Sequence, residues 1–242
     1  MRATTPPGAH RAEPHDASVA SRLNALRAAV LGANDGIVST AGLVVGVSGA
    51  TGDRGTLVVA GLAGLVAGAM SMAAGEYVSV STQRDTERAL IAKEARELEE
   101  MPEAELDELT GLYQAKGLSP ELARKVAVEL TETAPLRSHL DAELGIDPDD
   151  LTNPWHAAFA SMASFIVGAL LPLLAIAFIP GDLRTPLTVV SVAIALAGTG
   201  YVAARAGGSP PGRAVVRNVG GGLLAMGITY GIGSLVGTTG VV

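Results

Sequence analysis

The stretch TLVVAGLAGLVAGAMSMAAGEYVSVSTQRDTERALIAKEARELEE, Thr56 to Glu100, decides the fold. Through Ser81 it is apolar enough for a bilayer, and beyond that it is charged. No proline or turn signal separates the two parts. Read as one helix it is roughly 65 Å long at about 1.5 Å per residue, of which a bilayer core takes about 30 Å. The sequence therefore predicts a transmembrane helix that leaves the membrane and continues as a stalk. Met70, Met72, Glu76, Glu94 and Glu97 lie along it, all of residue types that can bind a metal ion.

Further apolar spans run at about Leu26 to Ser48, Ala157 to Ile179, Pro186 to Ala206 and Val215 to Val236, each close to the roughly 20 residues a spanning helix needs. A chain of 242 residues that is 48% hydrophobic, 3% aromatic and of mean hydropathy +0.37 is too apolar for a soluble domain of its size. The predicted fold is thus an all-α membrane protein of five transmembrane helices, with a cytoplasmic helical insert between helices 2 and 3. In order, residues 1–22 read as a disordered tail and 23–82 as transmembrane helices 1 and 2. Residues 83–153 form the acidic insert, and 154–242 form helices 3 to 5.

Charge is segregated along this plan. Thr82 to Asn153 holds 18 of the 24 acidic residues and 8 of the 17 basic ones, a balance of -10 within a chain of net charge -7. That field attracts cations and repels nucleic acid. With no cysteine, any metal site must use oxygen, imidazole or thioether ligands. The first twenty residues contain no apolar run of the kind a signal peptide has. Arg22, Arg27, Arg84, Arg88, Arg205, Arg213 and Arg217 cluster at one set of span ends, which predicts a cytoplasmic N-terminus and insert and an outside C-terminus.

GATGDRG joins the first two spans in a tight turn, so their depths can be compared. Asp35 and Met72 both lie roughly 14 Å inside the inner boundary, and Glu76 is one turn nearer the cytoplasm on the Met72 face. An intramembrane aspartate is expensive and marks a cavity, a partner or a function, and no lysine or arginine lies at its depth. Protonated carboxyls hydrogen-bonded inside the bundle are the structural alternative for Asp35 and Glu76, as packing is for Met72. Thioether beside carboxylate suits a divalent transition metal better than magnesium or calcium. One Asp and one Met underfill such an ion, which favours a homodimer with the path at its two-fold axis. In the insert, Glu94 with Glu97 and Glu105 with Glu108 are i,i+3 pairs that converge if their helices pack across Pro102. A solvated acidic face is the commoner cause of such spacing. Helix signals there are Pro102, a stop at Gly117, the Ser119–Pro120 start, and a last segment LRSHLDAELG stopped by Gly145.

NDGIVST in helix 1, AMSMAAGEYVSVSTQRDTE through helix 2 and an insert ending in HLDAELGID together resemble the vacuolar iron transporter family over nearly the whole chain. The resemblance implies a homodimeric exporter of Fe²⁺ from the cytosol, also moving Mn²⁺ and coupled to proton counterflow, and not an enzyme. It implies no cofactor beyond the transported ion and a regulatory divalent metal in the insert. By similarity Asp35 and Met72 are membrane-path ligands, and Glu94, Glu97, Glu105 and Glu108 are insert ligands. The family's Met-Met pair followed three residues later by Glu corresponds to His139, Leu140 and Glu143. His139 can replace one methionine as a ligand; Leu140 cannot. The expected partners are a second copy of the chain, divalent ions, protons and the lipid bilayer. The expected location is a bacterial-type plasma membrane, although a vacuolar one gives the same topology. Manganese as main cargo, or a membrane-tethered metal buffer or sensor through which nothing crosses, are the competing functions.

Overall fold

The structure is a computed structural model and describes residues 18–239; most of the tail expected at 1–22 lies outside the described residues. All regular structure among the described residues is helical: α1 (Ser18–Ala50), α2 (Arg54–Glu100), α3 (Pro102–Ala115), α4 (Pro120–Thr133), α5 (Pro135–His139), α6 (Pro154–Phe178), α7 (Arg184–Ala206) and α8 (Pro211–Thr238). Five of these, α1, α2, α6, α7 and α8, are long and apolar enough to cross a membrane. The decisive stretch is one unbroken helix of 47 residues, about 70 Å long. It starts where Asp53 accepts the Thr56 N–H at 2.7 Å and the Thr56 hydroxyl at 2.8 Å, an N-cap that satisfies a free amide of the first turn. It stops at Met101, where the chain turns before Pro102 opens α3.

The chain divides into two compact units. One holds α1, α2 as far as Gly75, α6 from Ala158, α7 and α8; the other is Glu76–Ala157. In the first, α1 is the axle. Its Ile37, Ala41, Val44 and Val45 are buried with Leu57 of α2, Ile176 of α6, Val192 and Leu196 of α7 and Met226 of α8. Half of the apolar window of α1 is buried but only 11% of that of α8, so α1 is the internal helix and α8 a peripheral one. Small residues let α1 do this. A Cβ on Gly36 would overlap the Phe165 carbonyl of α6, and one on Gly233 of α8 would overlap the Gly46 carbonyl. Without a hydrophobic drive between helices in lipid, such backbone approach supplies the packing energy. Val59, Val66, Ile194 and Leu235 point outward and exposed, as lipid-facing residues do.

Polar ties close the bundle. Thr199 of α7 donates to Asn34 Oδ1 of α1 at 2.6 Å, and Arg184 donates to the carbonyls of Gly52 and Ile179, each at 3.1 Å. These bonds link α1 to α7 and the α1–α2 turn to the start of α7.

In the second unit α3 packs on α4 around Leu109, Ala123 and Ala127. Arg124 pairs with Asp107 across that contact. Gly117, at φ +99°, ends α3, and the Ser119 hydroxyl accepts the Leu122 N–H to start α4. After α5 the chain widens into a π-type turn, Leu140–Leu144, ended by Gly145 at φ +63° with the Ile146 N–H on the Leu140 carbonyl. Tyr77 and Trp155 stack with ring centroids 4.7 Å apart. Amphipathic rings of this kind favour a membrane–water boundary.

Candidate metal centre

The apolar core of the second unit is small: Leu109, Ala123, Ala127 and Leu140 are fully buried. The rest of its interior is polar. Glu94 of α2, Glu105 of α3 and His139 at the end of α5 are buried together, at 3%, 5% and 0% exposure. His139 Nδ1 lies 3.1 Å from Glu94 Oε1 and 3.6 Å from Glu105 Oε2. One potential ligand atom from each of the three lies within 4.8 Å of the others. Among the described residues this is the group of three or more carboxylate or imidazole side chains close enough to share one ion.

Its hydrogen bonding is incomplete. Glu94 Oε1 and both ring nitrogens of His139 are buried without an aligned hydrogen bond, although the Nδ1 to Oε1 distance is short. A buried polar atom without a partner costs about 1–3 kcal/mol, and three in one place call for an explanation. A cation between them supplies one for two of the three, because it accepts a lone pair from Glu94 Oε1 and from the unprotonated ring nitrogen of His139.

Electrostatics point the same way. Burial first, then the charges of Glu143 and Glu105, push the Glu94 carboxyl up to about 7. Burial, then Glu108, Glu97 and Glu143, raise Glu105, and Lys93 partly offsets this. Burial lowers the His139 imidazole, against the pull of Glu143 and Glu108. Neutral imidazole and crowded carboxylate are the states in which a divalent ion is bound most readily.

The remaining insert candidates form a rim. Glu97 is half-buried, and Glu108 and Glu143 are exposed, yet all three act electrostatically on the buried group. Leu140 is fully buried and offers no donor. Lys93, which the sequence analysis passed over, holds Glu97 Oε2 at 2.7 Å. Its i,i+4 spacing from Glu97 was the available signal.

The span candidates gather less. Asp35 is half-buried on α1 and accepts the Ser39 hydroxyl at 2.7 Å from one turn away. Met72 is half-buried against Ala69, Phe165 and Ala169, a packing environment. Met70 is exposed at 62%. Glu76 is half-buried at the first residue of the second unit.

The sequence profile of the VIT family matches residues 26–234. A "Vacuolar iron transporter" of Acanthamoeba castellanii is 44% identical over 211 residues, 87% of this chain and 78% of that protein. "Vacuolar iron transporter homolog 1" of Oryza sativa is 40% identical over 91% of this chain and 78% of its own length. "Vacuolar iron transporter homolog 2" of Arabidopsis thaliana is 36% identical over 89% and 86%. With a profile match across nearly all the described residues and relatives aligned over most of their length, this chain belongs to the VIT family.

Proposed function

We propose that the chain carries a divalent transition-metal ion, Fe²⁺ and also Mn²⁺, out of the cytosol in exchange for protons, working as a homodimer. The observation that carries this is the buried, under-bonded Glu94, Glu105 and His139 cluster in a chain whose relatives bear the name vacuolar iron transporter. In this reading the insert, residues 83–153, lies in the cytosol and collects the ion. Glu108 and Glu143 draw it in by their field, Glu94, Glu105 and His139 bind it, and Glu97 joins them as a ligand at the rim. It then passes Glu76 to Asp35 and Met72, doubled by the second copy at the two-fold axis. Proton and metal compete for the same carboxylate lone pairs, so protonation from the far side releases the ion and gives exchange. The chain needs no cofactor and performs no covalent chemistry. It sits in a plasma membrane if the source is bacterial, and in a vacuolar membrane if it shares the place its relatives' names give.

One observation favours a second reading, a membrane-tethered metal buffer: among the described residues, the carboxylate and imidazole groups close enough to share one ion lie in the unit Glu76–Ala157. Proteoliposomes holding the full chain separate the two. Fe²⁺ flux driven by a pH gradient, lost in Asp35→Ala while that variant still binds metal at the insert, is the expected result. Metal binding without flux in the unaltered chain overturns transport, and undiminished flux in Asp35→Ala overturns the path.

A further inference from the structure

Lys93 precedes Glu94 on α2, and its ammonium lies 2.7 Å from Glu97 Oε2. The charges of Glu97, Glu143 and Glu94 act on it in turn, and its own charge reaches Glu105. Three other insert cations pair away from the cluster: Arg124 with Asp107, Lys125 with Glu121, and Arg137 with Asp147 and Asp149. Lys93 is thus a cation directed at the carboxylate cluster itself.

We propose that Lys93 is a built-in competitor for the ion, holding Glu97 until the metal displaces it and so setting how tightly and how long the insert retains its cargo. This rests on the insert being a divalent-ion site. The Glu97 carboxylate keeps further lone pairs for a metal, but the Lys93 ammonium on Oε2 neutralises part of the charge the metal would meet, so the two cations compete for the same carboxylate. The exchange is easy, because the ammonium sits on a flexible stem and the side chain is 57% exposed, so it can turn to water. Once turned out it still stands close to a divalent cation and repels it. In water-like surroundings a unit charge a few ångströms from a divalent ion is worth about tenfold in affinity. A site that must pass its ion onward gains from such weakening, since a lower affinity is expressed mainly as faster release.

The test uses the full chain in detergent micelles, with Co²⁺ as an air-stable probe, competed against a fluorescent chelator at neutral pH and physiological salt. Lys93→Gln is expected to bind Co²⁺ about tenfold more tightly and to lose it to EDTA correspondingly more slowly, while Lys93→Arg, which keeps the charge, stays near the unaltered protein. Unchanged or weaker binding in Lys93→Gln, or Lys93→Arg as tight as Lys93→Gln, overturns the proposal. If Glu94→Gln weakens Co²⁺ binding in the same assay, the metal site stands even where the role of Lys93 falls. If the unaltered chain shows no Co²⁺ binding that Glu94→Gln diminishes, both fall together.

Discussion

Glu94 makes the insert's stability depend on pH and on metal in opposite senses, and Glu94→Gln isolates the effect. In the folded insert its carboxyl titrates at about 7 against an ordinary 4.5. Below 4.5 the group is protonated in both the folded and the opened state and contributes nothing. Between these values the folded state keeps a proton that the opened state has released, so stability falls as pH rises, and the loss is complete above about 7. At about 1.4 kcal/mol per pH unit, the cost at alkaline pH is about 3 kcal/mol. His139 has the opposite sign: burial lowers its imidazole, so stability falls as pH drops below its ordinary 6.5. Both proteins carry His139, so the part of its contribution that does not come from its 3.1 Å contact with Glu94 cancels in their difference. Hydrogen exchange on the full metal-free chain, corrected for intrinsic rates, reads the opening free energy of α3 to α5 directly. Moving from about pH 5 to about pH 8 should destabilise the unaltered insert relative to Glu94→Gln by about 3 kcal/mol. A saturating divalent ion should remove that deficit, since a ligand at a hundred times its Kd adds about 2.7 kcal/mol. The same pH response in both proteins would refute the premise that Glu94 is a strained, ion-seeking group.

Gly36→Ala should lower the thermal stability of the solubilised protein, because a Cβ there collides with the Phe165 carbonyl, whereas Gly220→Ala on α8 meets open space and should be neutral. Thermal aggregation followed by size-exclusion chromatography compares the two. His139→Leu removes two buried nitrogens without partners and one donor at once. It should slow hydrogen exchange of the metal-free insert while weakening Co²⁺ binding at least about tenfold in a chelator competition.

Much of the helical plan was local and therefore legible in the sequence. The unbroken run from Thr56 to Glu100 predicted a helix that outlasts the bilayer, and α2 is that helix. Gly117, Ser119 with Pro120, and Gly145 end or begin insert elements where a left-handed φ, a side-chain cap or a missing N–H requires them. The start of α2 was less legible, because the Asp53 cap sits inside a turn that the sequence presented only as glycine-rich. The span face of Met72 was equally open, since a thioether at helical spacing serves packing and ligation alike and its neighbours come from α6.

What the sequence by itself determined is which residue types lie on which helix face, because that follows from a period of about 3.6 residues and the punctuation of Gly and Pro. Spacing made Glu94 equivalent to Glu97, and Glu105 to Glu108. Only the tertiary structure separated them, burying the first of each pair with His139 and leaving the second at the rim, Glu97 paired with Lys93 and Glu108 exposed. The physical reason is that Glu94, Glu105 and His139 come from three segments, and their meeting depends on how those segments pack, not on any local period. Desolvation, which turns a common surface glutamate into a group titrating at about 7, exists only once that packing has formed.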